Sequence, residues 1–170
     1  SDRIASWAPD AVLELACGTG RLTRHLHARL QPSAHIMATD LNPAMVQFAQ
    51  QAVPDTRVQW NVVDAVDLPY ADGTFDLVVA QFGVMFYSDR VKAYREALRV
   101  LKPGGRLLFT TWNELKANPV ARITQEVVKQ YFPVDTPAFY TVPFAYNDRA
   151  LIREEVLTAG FAHVELSLPE

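Results

Sequence analysis

Glu14, Asp40 and Asp64 each lie within or just past a short apolar run, and Gly18 and Gly20 follow the first of them. Glycines at this spacing let the backbone turn sharply and approach a ligand that a Cβ would block. A helix opening at Arg21 points its first N–H groups back at the turn. That arrangement receives a nucleoside-bearing ligand at the carboxyl end of a strand. Asp40 falls about twenty residues beyond the glycine turn, where an acceptor for ribose hydroxyls is expected. Glu14 is unusual because it sits inside its strand, where a dinucleotide fold has only apolar residues. A carboxylate aimed into the site suits a ligand with a cationic group. Any one Asp reads equally well as a turn former or helix cap. Several carboxylates converging on one edge, beside a Gly-x-Gly turn, favour a binding site.

Alternating strands and helices must position these groups. The predicted strands are Val12–Leu15, His35–Thr39, Val58–Val63, Phe75–Gln81, Gly105–Trp112 and His163–Leu168. Arg21–Leu30 reads as a helix. Asn42 caps a second that has Pro43 in its first turn and runs to about Ala52. Asp89 caps Arg90–Leu101, which Lys102-Pro103-Gly104-Gly105 ends. Asn118-Pro119 opens another, with Val120, Ile123, Val127 and Tyr131 on one face. Asp148 opens the last, which Gly160 stops. Continuous apolar strands alternating with helices give an α/β fold: a Rossmann-like, doubly wound, mostly parallel sheet with helices on both faces. Right-handed crossovers then bring the strand carboxyl ends to one edge.

A chain of 170 residues reads as one domain, 1–170, large enough to bury roughly 70% of its unfolded surface. The net charge of -3 gives no electrostatic footprint for nucleic acid. No apolar run approaches the ~18 residues of a membrane span, and no signal peptide is evident. One cysteine, Cys17, excludes an intrachain disulfide and suits a reducing, cytoplasmic setting. The histidines are scattered and no metal constellation is visible, so no metal is expected. No Ser-His-Asp set is apparent either.

Four motifs in order, ELACGTG (Glu14–Gly20), TDLNPAMV (Thr39–Val46), VVDAVDLPYADGTFDLVVA (Val62–Ala80) and LKPGG (Leu101–Gly105), carry a family resemblance. The chain resembles the class I S-adenosylmethionine-dependent methyltransferases, in particular the small-molecule, ubiquinone/menaquinone-type branch. The resemblance runs from about Ala11 to Thr111 and returns weakly at Asp148–Leu166. It implies S-adenosylmethionine as cofactor and methyl transfer to a small, apolar or aromatic acceptor by in-line displacement. It also implies a cofactor site. Glu14 would hold the methionine ammonium, and the backbone at Ala16, Gly18 and Gly20 would line the methionine and ribose. Asp40 would take the ribose hydroxyls, with Leu41 on the adenine face and Met45 nearby. Asp64 and the Ala65 N–H would take the adenine edge, and Gln81 and Phe82 would border the transferred methyl. Asp76 and Lys102–Gly105 read as structural.

Ala16 stands where the family pattern usually has its first glycine, which is tolerable if that residue is extended. The family also usually has an N-terminal helix over the substrate and a final antiparallel strand after His163–Leu168. Without them the sheet is expected to present an edge that invites pairing with another chain, which leaves a homo-oligomer open. Residues 112–147 form an aromatic- and proline-rich insertion and a candidate lid over the acceptor. The same aromatics read equally as packing for the helix after Asn118. Met85, Tyr87, Phe139 and Tyr140 are candidate acceptor contacts, with core packing as the alternative for the residues after strand four. No catalytic residue is identifiable. Tyr87, Asp135, Tyr140 and Tyr146 are the nearest general-base candidates. Two other functions compete: a nicotinamide-dependent dehydrogenase, against which the third glycine position is Thr23, and a non-catalytic S-adenosylmethionine-binding module.

Overall fold

The structure is a computed structural model that describes residues 2–134, 136–137 and 141–168. In chain order its elements are α1 (Asp2–Ser6), β1 (Ala11–Leu15), α2 (Arg21–Arg29), β2 (His35–Asp40), α3 (Pro43–Ala52), β3 (Val58–Val62), β4 (Phe75–Gln81), α4 (Arg90–Val100), β5 (Leu101–Thr110), α5 (Pro119–Tyr131) and α6 (Arg149–Thr158). The strands form one sheet in the order β3-β2-β1-β4-β5, and every pairing is parallel. The order reverses at β1, which pairs with β2 on one side and β4 on the other. The crevice at that reversal is where open α/β sheets bind ligands.

Period-two alternation divides the core. Leu13 and Leu15 of β1, with Val78 and Ala80 of β4, pack against Tyr94, Ala97 and Val100 of α4 and Ile152 and Val156 of α6. Val12, Leu77 and Val79 face the other way, onto Leu26 and Leu30 beside α2, Val53 after α3, and Ile4 of α1. Each fully buried Val, Leu or Ile among them contributes about 1.5–3 kcal/mol. Glu14 shares the parity of Val12 and so faces α2.

Local signals place most helix ends. Asn42 accepts from Ala44 N, Asp89 from Lys92 N, and Asp148 from Ala150 N and Leu151 N. Each side chain satisfies a backbone N–H that the helix itself leaves open. Asp76 accepts from Asp10 N at 3.2 Å, Ala11 N at 2.9 Å and Lys102 Nζ at 2.8 Å. It pins the starts of β1 and β5 to β4, the structural role expected of it.

The sequence expectations are revised at several points. LKPGG does not precede β5 but lies inside it. The pairing steps from Phe75↔Leu101 to Leu77↔Arg106, so the Pro-Gly-Gly segment bulges out of a strand that begins earlier. His163–Leu168 is not a strand. Its carbonyls at Val164 and Leu166 accept from Arg153 and Arg149 of α6 rather than from a neighbouring strand. Asn118 precedes α5 without capping it, because its amide donates to the carbonyls of Asn113 and Glu114. The apolar stripe of α5 faces outward. Val120 is 81% exposed, Ile123, Val127 and Tyr131 are also exposed, and Gln125 is the buried residue.

Candidate cofactor site

The turn between β1 and α2 is bound to β2 at several points. Cys17 N donates to Thr39 O at 2.9 Å and Gly20 N to Cys17 O at 2.9 Å. Thr39 Oγ1 donates to Glu14 O at 2.9 Å. Gly18 N donates to Asp40 Oδ2 at 2.8 Å, while Asn42 N donates to Asp40 Oδ1 at 2.9 Å. Gly18 has φ +54, and a Cβ there would meet nothing within 4 Å. Its outer side is therefore space a ligand can fill. Gly20, at φ +74, packs instead. A Cβ there would lie 3.0 Å from Ala49 Cβ, so a side chain would push α3 away.

Ala16 is not extended. Its φ is +53, and Phe82 at the tip of β4 has φ +55. Left-handed backbone is costly for any residue with a Cβ. The two are linked by Gly83, where a Cβ would fall 2.4 Å from the Ala16 Cβ. Strain of this kind persists only where the surroundings enforce it, and it concentrates at functional sites.

These tips surround a cleft of about 250 Å³ lined by Glu14, Ala16, Cys17, Gly18, Thr19, Arg21, Leu22, Gln81 and Phe82. Glu14 is buried, and its Oε2 has no hydrogen-bond partner among the described residues. Burial pushes its carboxyl up to about 8, hydrogen bonding to Thr23 opposes the rise, and the nearby Asp40 charge adds to it. Burial, followed by the charges of Glu14 and Asp40, holds the Cys17 thiol up at about 12, so it is no nucleophile at neutral pH. A second hollow, of about 300 Å³, lies at the opposite edge beside Trp7, Asp76, Lys102 and Gly104. Asp76 and Lys102 there pair with each other, and none of the carboxylates at the strand tips reaches it.

The remaining predicted residues fall into three groups. Leu41, at 65% exposed, and Met45 stand open beside Asp40. Asp64 closes a turn by accepting from Val66 N at 3.1 Å, with Ala65 buried beside it. Met85 is buried among the core residues under α4, so packing accounts for it. The Tyr87 hydroxyl is buried without a partner among the described residues, and burial raises its pKa. Tyr146 is tied to Tyr94 and Glu155, and burial raises its pKa too. Neither tyrosine is a ready base at neutral pH. Phe139, Tyr140 and Asp135 lie outside the described residues.

Sequence reading missed a column of rings. Phe82 stacks on Trp112 at 4.1 Å between centroids, 10° from parallel, and Trp112 meets Phe144 at 5.8 Å. Only the presence of aromatics at both ends of the insertion hinted at it. Among the described residues, no group of three or more potential metal ligands occurs. No described helix is long and apolar enough to cross a membrane.

The family described as "Methyltransferase domain" matches residues 13–109, over half the chain. The chain belongs to that family, and its fold is that of a class I methyltransferase domain. It is 36% identical over 124 residues to the ubiquinone/menaquinone biosynthesis C-methyltransferase UbiE of Idiomarina loihiensis, covering 71% of this chain and 48% of that protein. The chain thus spans about half the length of the curated relatives it matches. Among solved structures, the [4+2]-cyclase SpnF is 29% identical with a TM-score of 0.56, covering 63% of this chain and 43% of that one. A phosphoethanolamine N-methyltransferase of Haemonchus contortus, solved with S-adenosylhomocysteine, shares the fold. Its TM-score is 0.68 at 22% identity, over 92% of this chain and 34% of that one.

Proposed function

We propose that the protein transfers a methyl group from S-adenosylmethionine to a small, apolar or aromatic acceptor. The observation that carries this reading is the buried Glu14 carboxyl: Glu14 lines the cleft, and its Oε2 has no hydrogen-bond partner among the described residues. A dehydrogenase has no use for an acidic group there, whereas a methionine ammonium pairs with it. The open space beside Gly18 fits the same ligand. S-adenosylmethionine supplies a methyl already activated on a sulfonium, so the protein mainly aligns, orients and excludes water.

In this reading Glu14 holds the ammonium and the Ala16–Gly20 backbone lines the methionine and ribose. Asp40 binds the ribose hydroxyls. Leu41 and Met45 flank the adenine, and Asp64 with the Ala65 N–H takes its edge. Gln81 and Phe82 border the methyl. Residues 112–147 act as the acceptor-side lid of a single domain, 1–170. UbiE, one relative, is named as a C-methyltransferase. The negative net charge argues against a nucleic-acid substrate, and a single cysteine suits a cytoplasmic setting.

Titration calorimetry with S-adenosylhomocysteine, with NADH as control, tests the cofactor. Binding of the former alone supports the reading, and binding of NADH alone overturns it. A screen of quinone-like phenols for transfer of labelled methyl tests the reaction. The match to a [4+2]-cyclase makes cofactor binding without transfer a second outcome worth scoring separately.

A further inference from the structure

Phe82 lines the cleft, yet its backbone is left-handed. Its N–H is held by Thr110 O at 3.1 Å and Thr110 Oγ1 at 3.3 Å. Gly83 behind it is wedged against Ala16. One face of the Phe82 ring is covered by the parallel indole of Trp112, itself 38% exposed and not part of the cleft wall. Phe144, in the 3-10 turn Val142–Phe144, backs Trp112 in turn. That turn is tethered by Thr111 Oγ1, which donates to Tyr146 O at 2.6 Å. The order outward from the cleft is Phe82, Trp112, Phe144.

The cofactor's own connectivity adds a constraint. Its sulfur lies between the amino-acid part and the ribose. With the ammonium at Glu14 and the ribose at Asp40, the sulfur sits between those residues, in the cleft that Phe82 walls. Aromatic faces attract cations, and a stacked ring is fixed in orientation.

We infer that Trp112 is a positioning residue: by stacking on Phe82 it fixes an aromatic wall against the sulfonium, so that the site favours the charged S-adenosylmethionine over its neutral product S-adenosylhomocysteine. The inference rests on the cofactor reading above.

The test is calorimetric titration of both ligands into the wild type, Trp112→Leu and Trp112→Phe, with melting temperatures recorded for each. Trp112→Leu keeps bulk but loses the stack. It is expected to weaken S-adenosylmethionine by roughly threefold to tenfold, within the range of a cation–π contact, and S-adenosylhomocysteine by less than about twofold. Trp112→Phe is expected to restore the preference. Should Trp112→Leu not fold, Phe144→Leu removes the outer ring and should shift the ratio in the same direction. Equal weakening of both ligands, or an unchanged ratio, overturns the inference alone. A wild type that binds neither ligand overturns the cofactor reading and the inference with it.

Discussion

The Asp40 carboxylate accepts from the backbone N–H of Gly18 at 2.8 Å, which joins the tip of β2 to the turn that follows β1. The residue proposed to bind ribose thus also shapes the loop that lines it. Asp40→Ala should lower affinity for S-adenosylhomocysteine by about 10- to 100-fold, the size of one or two lost charged-acceptor hydrogen bonds. Calorimetry checks this, and an unchanged affinity removes Asp40 from the site.

Glu14 makes cofactor binding depend on pH. Its carboxyl titrates near 8 in the folded protein, so it is mostly protonated at pH 7 without ligand. A ligand ammonium selects the ionised form. Affinity should therefore rise with pH up to about 8, with a proton released on binding. Calorimetry in buffers of different ionisation enthalpy counts that proton, and Glu14→Gln should abolish it. The effect on stability has the opposite sign. The folded value lies above the ordinary carboxyl value of 4.5, so stability is greatest below about 4.5 and falls as pH rises toward 8. Glu14→Gln should raise the melting temperature more at pH 8 than at pH 5.

The left-handed turn at Ala16 predicts a stabilising substitution. Ala16→Gly relieves a backbone conformation costing roughly 1–2 kcal/mol. Denaturant titration should show a gain of about 1 kcal/mol. Gly83→Ala should be destabilising, because its new methyl falls on the Ala16 Cβ, and adding Ala16→Gly should recover part of the loss. Independent, additive effects of the two changes would mean the contact is not the cause.

Tyr146 lies where the 112–147 segment rejoins the body. Its hydroxyl donates to Glu155 Oε2 at 2.6 Å and lies 3.1 Å from Tyr94 Oη. Arg90 grips Glu155 with two bonds of 2.8 Å and covers the Tyr146 ring. Tyr146→Phe should cost about 1–3 kcal/mol, since it strips a charged acceptor of a buried donor. Glu155 is held below its usual range, chiefly by the Arg90 bonds. Its contribution is thus present above the unfolded carboxyl value and lost as pH falls through the lowered one. The penalty for Tyr146→Phe should shrink in acid, as read from urea melts at several pH values.

Much of the site was legible because its signals are local. Asn42, Asp89 and Asp148 cap helices through residues two or three positions away, and the spacing of Glu14, Gly18, Gly20 and Asp40 placed them on one edge. What escaped was set by distant neighbours. Ala16, with its positive φ, packs against Gly83, far along the chain. The facing of α5 depends on what lies beneath Gln125, which no helical periodicity records. The alternation at His163–Leu168 looks like a strand, yet Arg149 and Arg153 take its carbonyls. Phe82 and Trp112 form one stack through the pairing of β4 with β5, and neither residue's own surroundings in sequence suggest the other.

The Asp76 clamp bears on the order in which the chain can assemble. The cofactor loop directly follows β1, but β1 is flanked on one side by β4, and its first N–H group is held by a carboxylate that also grips Lys102. On a ribosome, the cleft therefore cannot close until β4, more than sixty residues beyond β1, has emerged. Non-local pairing of this kind slows folding. Nascent β1 meanwhile has an unpaired flank, and ligand present during synthesis has nothing finished to bind.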